Sequence, residues 1–146
     1  RNVKRRMELR GTVREITVWD DFAHHPTAIQ TTLEGLRTAL PGRRVLAVLE
    51  PRSNTMKLGV MKAALPDSLR SADAVFCYTG GLGWDVAQAL APLADKVHCA
   101  DDLDLLVAQI VASARPGDQL LVMSNGGFGG IHDKLLRALS VTPGAA

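Results

Sequence analysis

Apolar positions along this chain follow two rhythms, and the change between them organises everything else. From Asn2 to Arg10, Val3, Arg5, Met7 and Leu9 alternate with Lys4, Arg6, Glu8 and Arg10, the period of two of a strand with one polar face. Gly11 to Trp19 is rich in β-forming residues, so Gly11 marks a turn or a bulge in a meander. From Pro26 the period lengthens: Ile29, Leu33, Leu36 and Leu40 fall on one face of a helix that Pro41-Gly42 ends. Proline suits its first position, where the missing N–H would have no partner anyway.

The same alternation of elements continues to the end. Arg44–Leu49, Ala74–Tyr78, Lys96–Ala100 and Gln119–Met123 are short apolar runs of the kind covered on both faces of a parallel sheet. Between them the pattern predicts a helix over Leu58–Leu65 with a second piece around Ser68–Ala72, and another over Trp84–Leu93 that Pro92 must end. A further helix, capped by Asp101 or Asp102, ends near Arg115, and Ile131–Leu139 forms the last. This succession predicts an α/β fold, Rossmann-like, with a mostly parallel sheet of about six strands, one antiparallel edge strand and helices on both faces. We expect residues 1–146 to be a single domain, with an ordered core over 3–139 and a loose tail over 140–146.

Composition narrows the chemistry only a little. Lys and Arg number 17 against 15 Asp and Glu, and the formal net charge of +2 is too small to argue for nucleic acid. Cys77 and Cys99 each end an apolar run, so they read as small buried residues in a reducing setting, without a disulfide framework or a reactive thiol. No apolar run approaches the roughly 18 residues of a membrane span. No secretory leader is expected, and the expected location is the cytoplasm. The sequence opens at Arg1, and we expect it to be a piece of something longer.

Three polar loops follow strands at what should be one edge of the sheet: Asp20–Thr27, Glu50–Lys57 and Ser124–His132. In the first, Asp20, Asp21, His24 and His25 stand ahead of a helix N-terminus. Capping accounts for one of these acids, ligand binding for the group, and the residues alone decide for neither. Metal ligation is disfavoured, because no H-x-H, H-x-x-x-H or cysteine partner stands at a matching spacing. Gly126–Gly130 suits either a phosphate-cradling loop or a turn that needs positive φ, and Thr79–Gly83 is similar. Neither carries the G-K-[ST] of a nucleotide-binding P-loop, and no Ser/His/Asp triad can be assembled.

D-D-F-A-H-H-P-T-A-I from Asp20, followed by L-E-P-R-S-N-T-M-K from Leu49, resembles the C-terminal domain of the Mur ligase family over about Val3 to Leu139. The second motif resembles the branch that joins a peptide rather than a single alanine. The resemblance implies the last domain of a three-domain, ATP-dependent ligase that uses ATP and Mg2+, the metal being held mainly by the central domain. The implied substrates are UDP-N-acetylmuramate and the tripeptide L-Ala-γ-D-Glu-meso-diaminopimelate, recovered from the cell wall and joined through an acyl phosphate. The central and N-terminal domains of the same chain are the implied partners, with neither nucleic acid nor membrane involved.

Residue by residue, the resemblance places Arg6, Asp21, His24 and His25 at the ATP. It places Arg52, Ser53, Asn54, Thr55 and Lys57 at the incoming peptide, whose carboxylates suit a bidentate Arg and a point-charge Lys. Asn125, Phe128 and His132 are expected to line the same cleft. No catalytic residue and no metal ligand are expected in this chain, which alone should be inactive and bind nucleotide weakly. The alternatives are the alanine-adding ligase domain of the same family and a free-standing Rossmann-like binding module.

Overall fold

In the computed structural model, residues 7–51 and 58–141 of the chain are described. They form a six-stranded mixed sheet: β1 (Glu8–Val13), β2 (Ile16–Asp21), β3 (Val45–Leu49), β4 (Ala74–Tyr78), β5 (Val97–Ala100) and β6 (Gln119–Met123). The order across the sheet is β1-β2-β6-β3-β4-β5, with β1 antiparallel to β2 and every other pairing parallel. The expected architecture, an antiparallel edge strand on a parallel sheet, is therefore found.

At the N-terminal edge the structure decides between the two readings left open at Gly11 and places the turn. The described part of the first strand begins at Glu8 and runs through Gly11 to Val13, with a register shift between Leu9 and Gly11. Gly11 thus marks a bulge, and a Cβ there would lie 3.1 Å from Leu136 of the last helix. The chain reverses instead at Arg14-Glu15, both at positive φ (54° and 65°). That two-residue geometry matches the right-handed twist of the strands it joins, even though neither residue favours the left-handed region.

Among the described residues, five α-helices flank the sheet: α1 (Pro26–Ala39), α2 (Leu58–Ser68), α3 (Val86–Ala89), α4 (Leu103–Ser113) and α5 (Ile131–Val141). Ile29, Leu33 and Leu36 are the buried stripe of α1, as their spacing predicts. The helix α2 passes through Pro66, which sits in its last turn, and ends at Ser68. Ser68–Ala72 adds only tight turns, through Leu69 N to Pro66 O and Ala72 N to Leu69 O. The helix expected over Trp84–Leu93 is a single turn, α3, capped by Asp85 accepting from Gln88 N. Pro92 falls in the 3-10 stretch Ala91–Lys96 that follows, so proline stops the α-helix earlier than apolar spacing suggests. Asp102, not Asp101, caps α4, accepting from Leu105 N at 2.9 Å.

Alternate residues of each parallel strand serve opposite layers. Ile16, Val18, Leu46, Val48, Phe76, Leu120 and Val122 pack with α4 and α5. Val45, Ala47, Leu49, Val75, Cys77, Leu121 and Met123 pack with α1, α2 and α3. Because β6 returns between β2 and β3, the helix after β2 lies on one face and the helix after β6 on the other. Such divergence opens a crevice at the carboxyl ends of the strands. No helix among the described residues is long and apolar enough to cross a membrane.

Candidate functional site

The carboxyl ends of β2, β6 and β3 are tied by backbone bonds, Ser124 N to Asp21 O at 3.1 Å and Glu50 N to Met123 O at 3.3 Å. The three polar loops therefore start side by side. Ser124 Oγ donates to Glu50 Oε1 at 2.6 Å and accepts from Gly126 N at 3.0 Å, which fixes the start of the third loop against the second. Beyond Pro51 the second loop, with Arg52, Ser53, Asn54, Thr55 and Lys57, lies outside the described residues, as does Arg6.

The adjacent acids of the first loop take opposite sides, as the pleat of β2 demands. Asp20 is buried on the α5 face, where its Oδ1 lies 3.0 Å from His132 Nε2 and its Oδ2 lies 3.5 Å from Arg10. Asp21, only 5% exposed, faces the other layer. Its Oδ1 accepts from Met7 N at 2.8 Å, and its Oδ2 accepts from Ala23 N at 2.8 Å and Thr32 Oγ1 at 3.3 Å. Asp21 thereby clamps the edge strand, the turn after β2 and the second turn of α1 to one carboxylate. The same carboxylate also lines the cleft described below.

The histidines follow immediately. His24 is half-buried, with Nδ1 2.9 Å from Phe22 O, and its ring stands edge-on to Phe22 at 5.1 Å. His25 is exposed and occupies the N-cap of α1 without a side-chain cap bond, its ring centroid 4.2 Å from that of His24. The His25 carbonyl accepts the first intrahelical bond, from Ile29 N, and neither aspartate caps the helix.

Asp21, His24, His25 and Asn125 share one cleft of about 1150 Å³. Its long wall is a second stripe of α1, Ala28, Thr32, Gly35 and Ala39, whose small side chains leave the space open. Trp19 and Met7 form the facing wall, the Trp19 indole N–H being satisfied by Gln119 Oε1 at 2.8 Å. The spacing that buries Ile29, Leu33 and Leu36 was legible in the sequence; the adjoining small stripe was the signal left unread.

Two members of the third loop are placed elsewhere. Phe128 and His132, each 3% exposed, sit in the core on the α4–α5 side and not in the cleft with Asn125. The reason is the turn between them: Phe128, Gly129 and Gly130 all adopt positive φ (51°, 60° and 73°), folding the chain under the sheet before α5 starts. A Cβ at Gly129 would come within 2.7 Å of Leu103 Cδ2, so glycine there serves close packing. Among the described residues, no three His, Cys, Asp or Glu side chains gather as a metal site.

Comparison with known proteins decides the lineage. Residues 5–126 match the family model described as Mur ligase, glutamate ligase domain. The chain belongs to the Mur ligase family. It is 51% identical, over 99% of its length, to the UDP-N-acetylmuramate–L-alanyl-γ-D-glutamyl-meso-2,6-diaminoheptandioate ligase of Escherichia coli K12, of which it covers 32%. A crystallised domain of a ligase of the same name from Haemophilus ducreyi matches with a TM-score of 0.80 and 51% identity, over 92% of this chain and 99% of that one. The murein peptide ligase of Psychrobacter arcticus matches with a TM-score of 0.87 and 43% identity, over 96% of this chain and 31% of that one. The chain thus spans about a third of the length of the curated relatives it matches.

Proposed function

We propose that this chain is the C-terminal domain of an ATP-dependent ligase that joins the tripeptide L-Ala-γ-D-Glu-meso-diaminopimelate to UDP-N-acetylmuramate. The observation that carries the reading is the 51% identity to a ligase of that specificity across 99% of the chain. The stretch E-P-R-S-N-T-M-K from Glu50 adds a cationic pair, Arg52 and Lys57, suited to a peptide that bears several carboxylates. ATP supplies the chemistry by turning the muramyl carboxylate into an acyl phosphate, so that its oxygen becomes a leaving group.

This chain's part is binding and closure. Asp21 accepts a ribose hydroxyl while its bonds from Met7 N, Ala23 N and Thr32 Oγ1 keep the turn rigid. His24 and His25 line the same cleft, where the exposed His25 ring offers an N–H to a phosphate oxygen, the His24 ring packs beside it, and Arg6 adds a cation. Arg52, Ser53, Asn54, Thr55 and Lys57 receive the peptide, with Asn125 between the two groups of ligands. Phe128 and His132 act from below by holding the third loop in place. Mg2+ falls to the central domain of the longer protein, and no step is routed through a metal on this chain.

The test uses the full-length enzyme carrying Arg52→Ala. The KM for tripeptide rises by about tenfold or more while the KM for ATP holds, as loss of one charge-assisted contact worth roughly 1.5–3 kcal/mol requires. A rise confined to ATP would overturn the peptide-binding role of the loop.

A further inference from the structure

Two free cysteines lie side by side in the sheet. Cys77 on β4 and Cys99 on β5 are register partners on adjacent parallel strands. Neighbouring strands stand about 4.8 Å apart, and a disulfide spans Cα separations of about 4.4–6.8 Å. Both side chains lie on the face that packs against α1, α2 and α3, and both thiols are free. Cys77 is fully buried, whereas Cys99 is half-buried on the edge strand and open to a small solute. We propose that Cys77 and Cys99 form a redox-active dithiol, with Cys99 the site attacked by a hydroperoxide and Cys77 the resolving thiol.

The division of labour follows from their surroundings. The neighbouring Cys77 thiol holds the Cys99 thiol below its ordinary value, against burial and the nearby Asp85 carboxylate. The Cys99 sulfur beside it, together with burial, pushes Cys77 well up. Cys99 is therefore the better source of thiolate, and it is also the more accessible sulfur.

In the first step the Cys99 thiolate attacks the outer oxygen of the hydroperoxide, and the O–O bond breaks. The alkoxide or hydroxide leaves with a proton from water, and Cys99 carries a sulfenic acid. In the second step Cys77 Sγ attacks Cys99 Sγ. The S–O bond breaks, and the Cys77 proton leaves with the hydroxyl as water. Two thiols lose two electrons, the peroxide gains them, and one S–S bond joins β4 to the edge strand.

The crystallised Haemophilus ducreyi domain, which this chain covers over 99% of its length, supports study of the domain by itself. The experiment exposes this chain to a modest excess of hydrogen peroxide and reads free thiols and intact mass, followed by peptide mapping. The expected result is loss of both titratable thiols, a mass lower by two hydrogen atoms, a Cys77–Cys99 peptide pair, and recovery with dithiothreitol. Cys77→Ser is expected to leave a sulfenic acid on Cys99 that dimedone captures, and Cys99→Ser to leave Cys77 unreacted. Survival of both thiols would overturn the proposal. So would oxidation of Cys99 to sulfinic acid with Cys77 still reduced, or cross-linking only between chains. The wild-type mapping decides the matter even if a variant fails to fold.

Discussion

Replacing Asp21 with Ala removes the carboxylate that ties three segments together. Its two short bonds, from Met7 N and Ala23 N, are both 2.8 Å, and the third, from Thr32 Oγ1, is 3.3 Å. A hydrogen bond to a charged acceptor contributes roughly 1.5–3 kcal/mol when its loss leaves the donor buried. Ala23 is buried, so its N–H suffers most of that penalty. Met7 is half-buried and belongs nearer the lower end, and the Thr32 hydroxyl can rotate to water in the cleft. The expected cost is about 3–5 kcal/mol, a large share of the roughly 5–15 kcal/mol that holds a domain of this kind. Urea unfolding followed by circular dichroism reads it directly, as a lower midpoint with an unchanged slope. Asp21→Asn, which keeps one acceptor oxygen, should lose about half as much. A cost below about 1 kcal/mol for Asp21→Ala would refute the clamp and leave the geometry of His24 and His25 without its support.

Two further outcomes probe the scaffold. At Asp73, burial alone would raise the carboxyl, but the Val45 N–H and the Arg37 guanidinium outweigh it and hold it below its ordinary value. Its stabilising contribution is therefore present above the ordinary carboxylate range and lost as pH falls through the folded value. The stability gap between wild type and Asp73→Asn should be widest near neutrality and close in acid; a gap that widens on acidification would contradict this assignment. Gly129→Ala places a Cβ 2.7 Å from Leu103 Cδ2 at a φ of +60°, and should lower stability by about 1–3 kcal/mol in a thermal melt, whereas an unchanged melt would show that the turn relaxes freely.

What the sequence made legible is what depends on short-range repetition. The buried runs Val45–Leu49 and Gln119–Met123, the Pro26 helix start and the alternation of strand and helix were enough for the parallel sheet. The motif around Asp21 was enough for the family. The features it hid depend on which side of the backbone a residue takes or on contacts far apart in sequence. Asp20 and Asp21 look equivalent in the chain, yet the strand pleat sends one to His132 and the other to Met7 and Ala23. Phe128 and His132 look like loop residues, and only the run of positive φ through Gly130 carries them under the sheet. The hairpin at Arg14-Glu15 has no glycine or asparagine to announce it, and the pairing of Cys77 with Cys99 exists only through strand register.

The most direct measurement of the central claim is ATP-dependent product formation from UDP-N-acetylmuramate by the full-length enzyme, with the murein tripeptide and with L-alanine offered in parallel, and the same assay on this chain alone. The account predicts joining of the tripeptide by the full-length enzyme, little or none of L-alanine, and no product from the isolated domain. Preference for L-alanine, or ligation by this chain unaided, would contradict it.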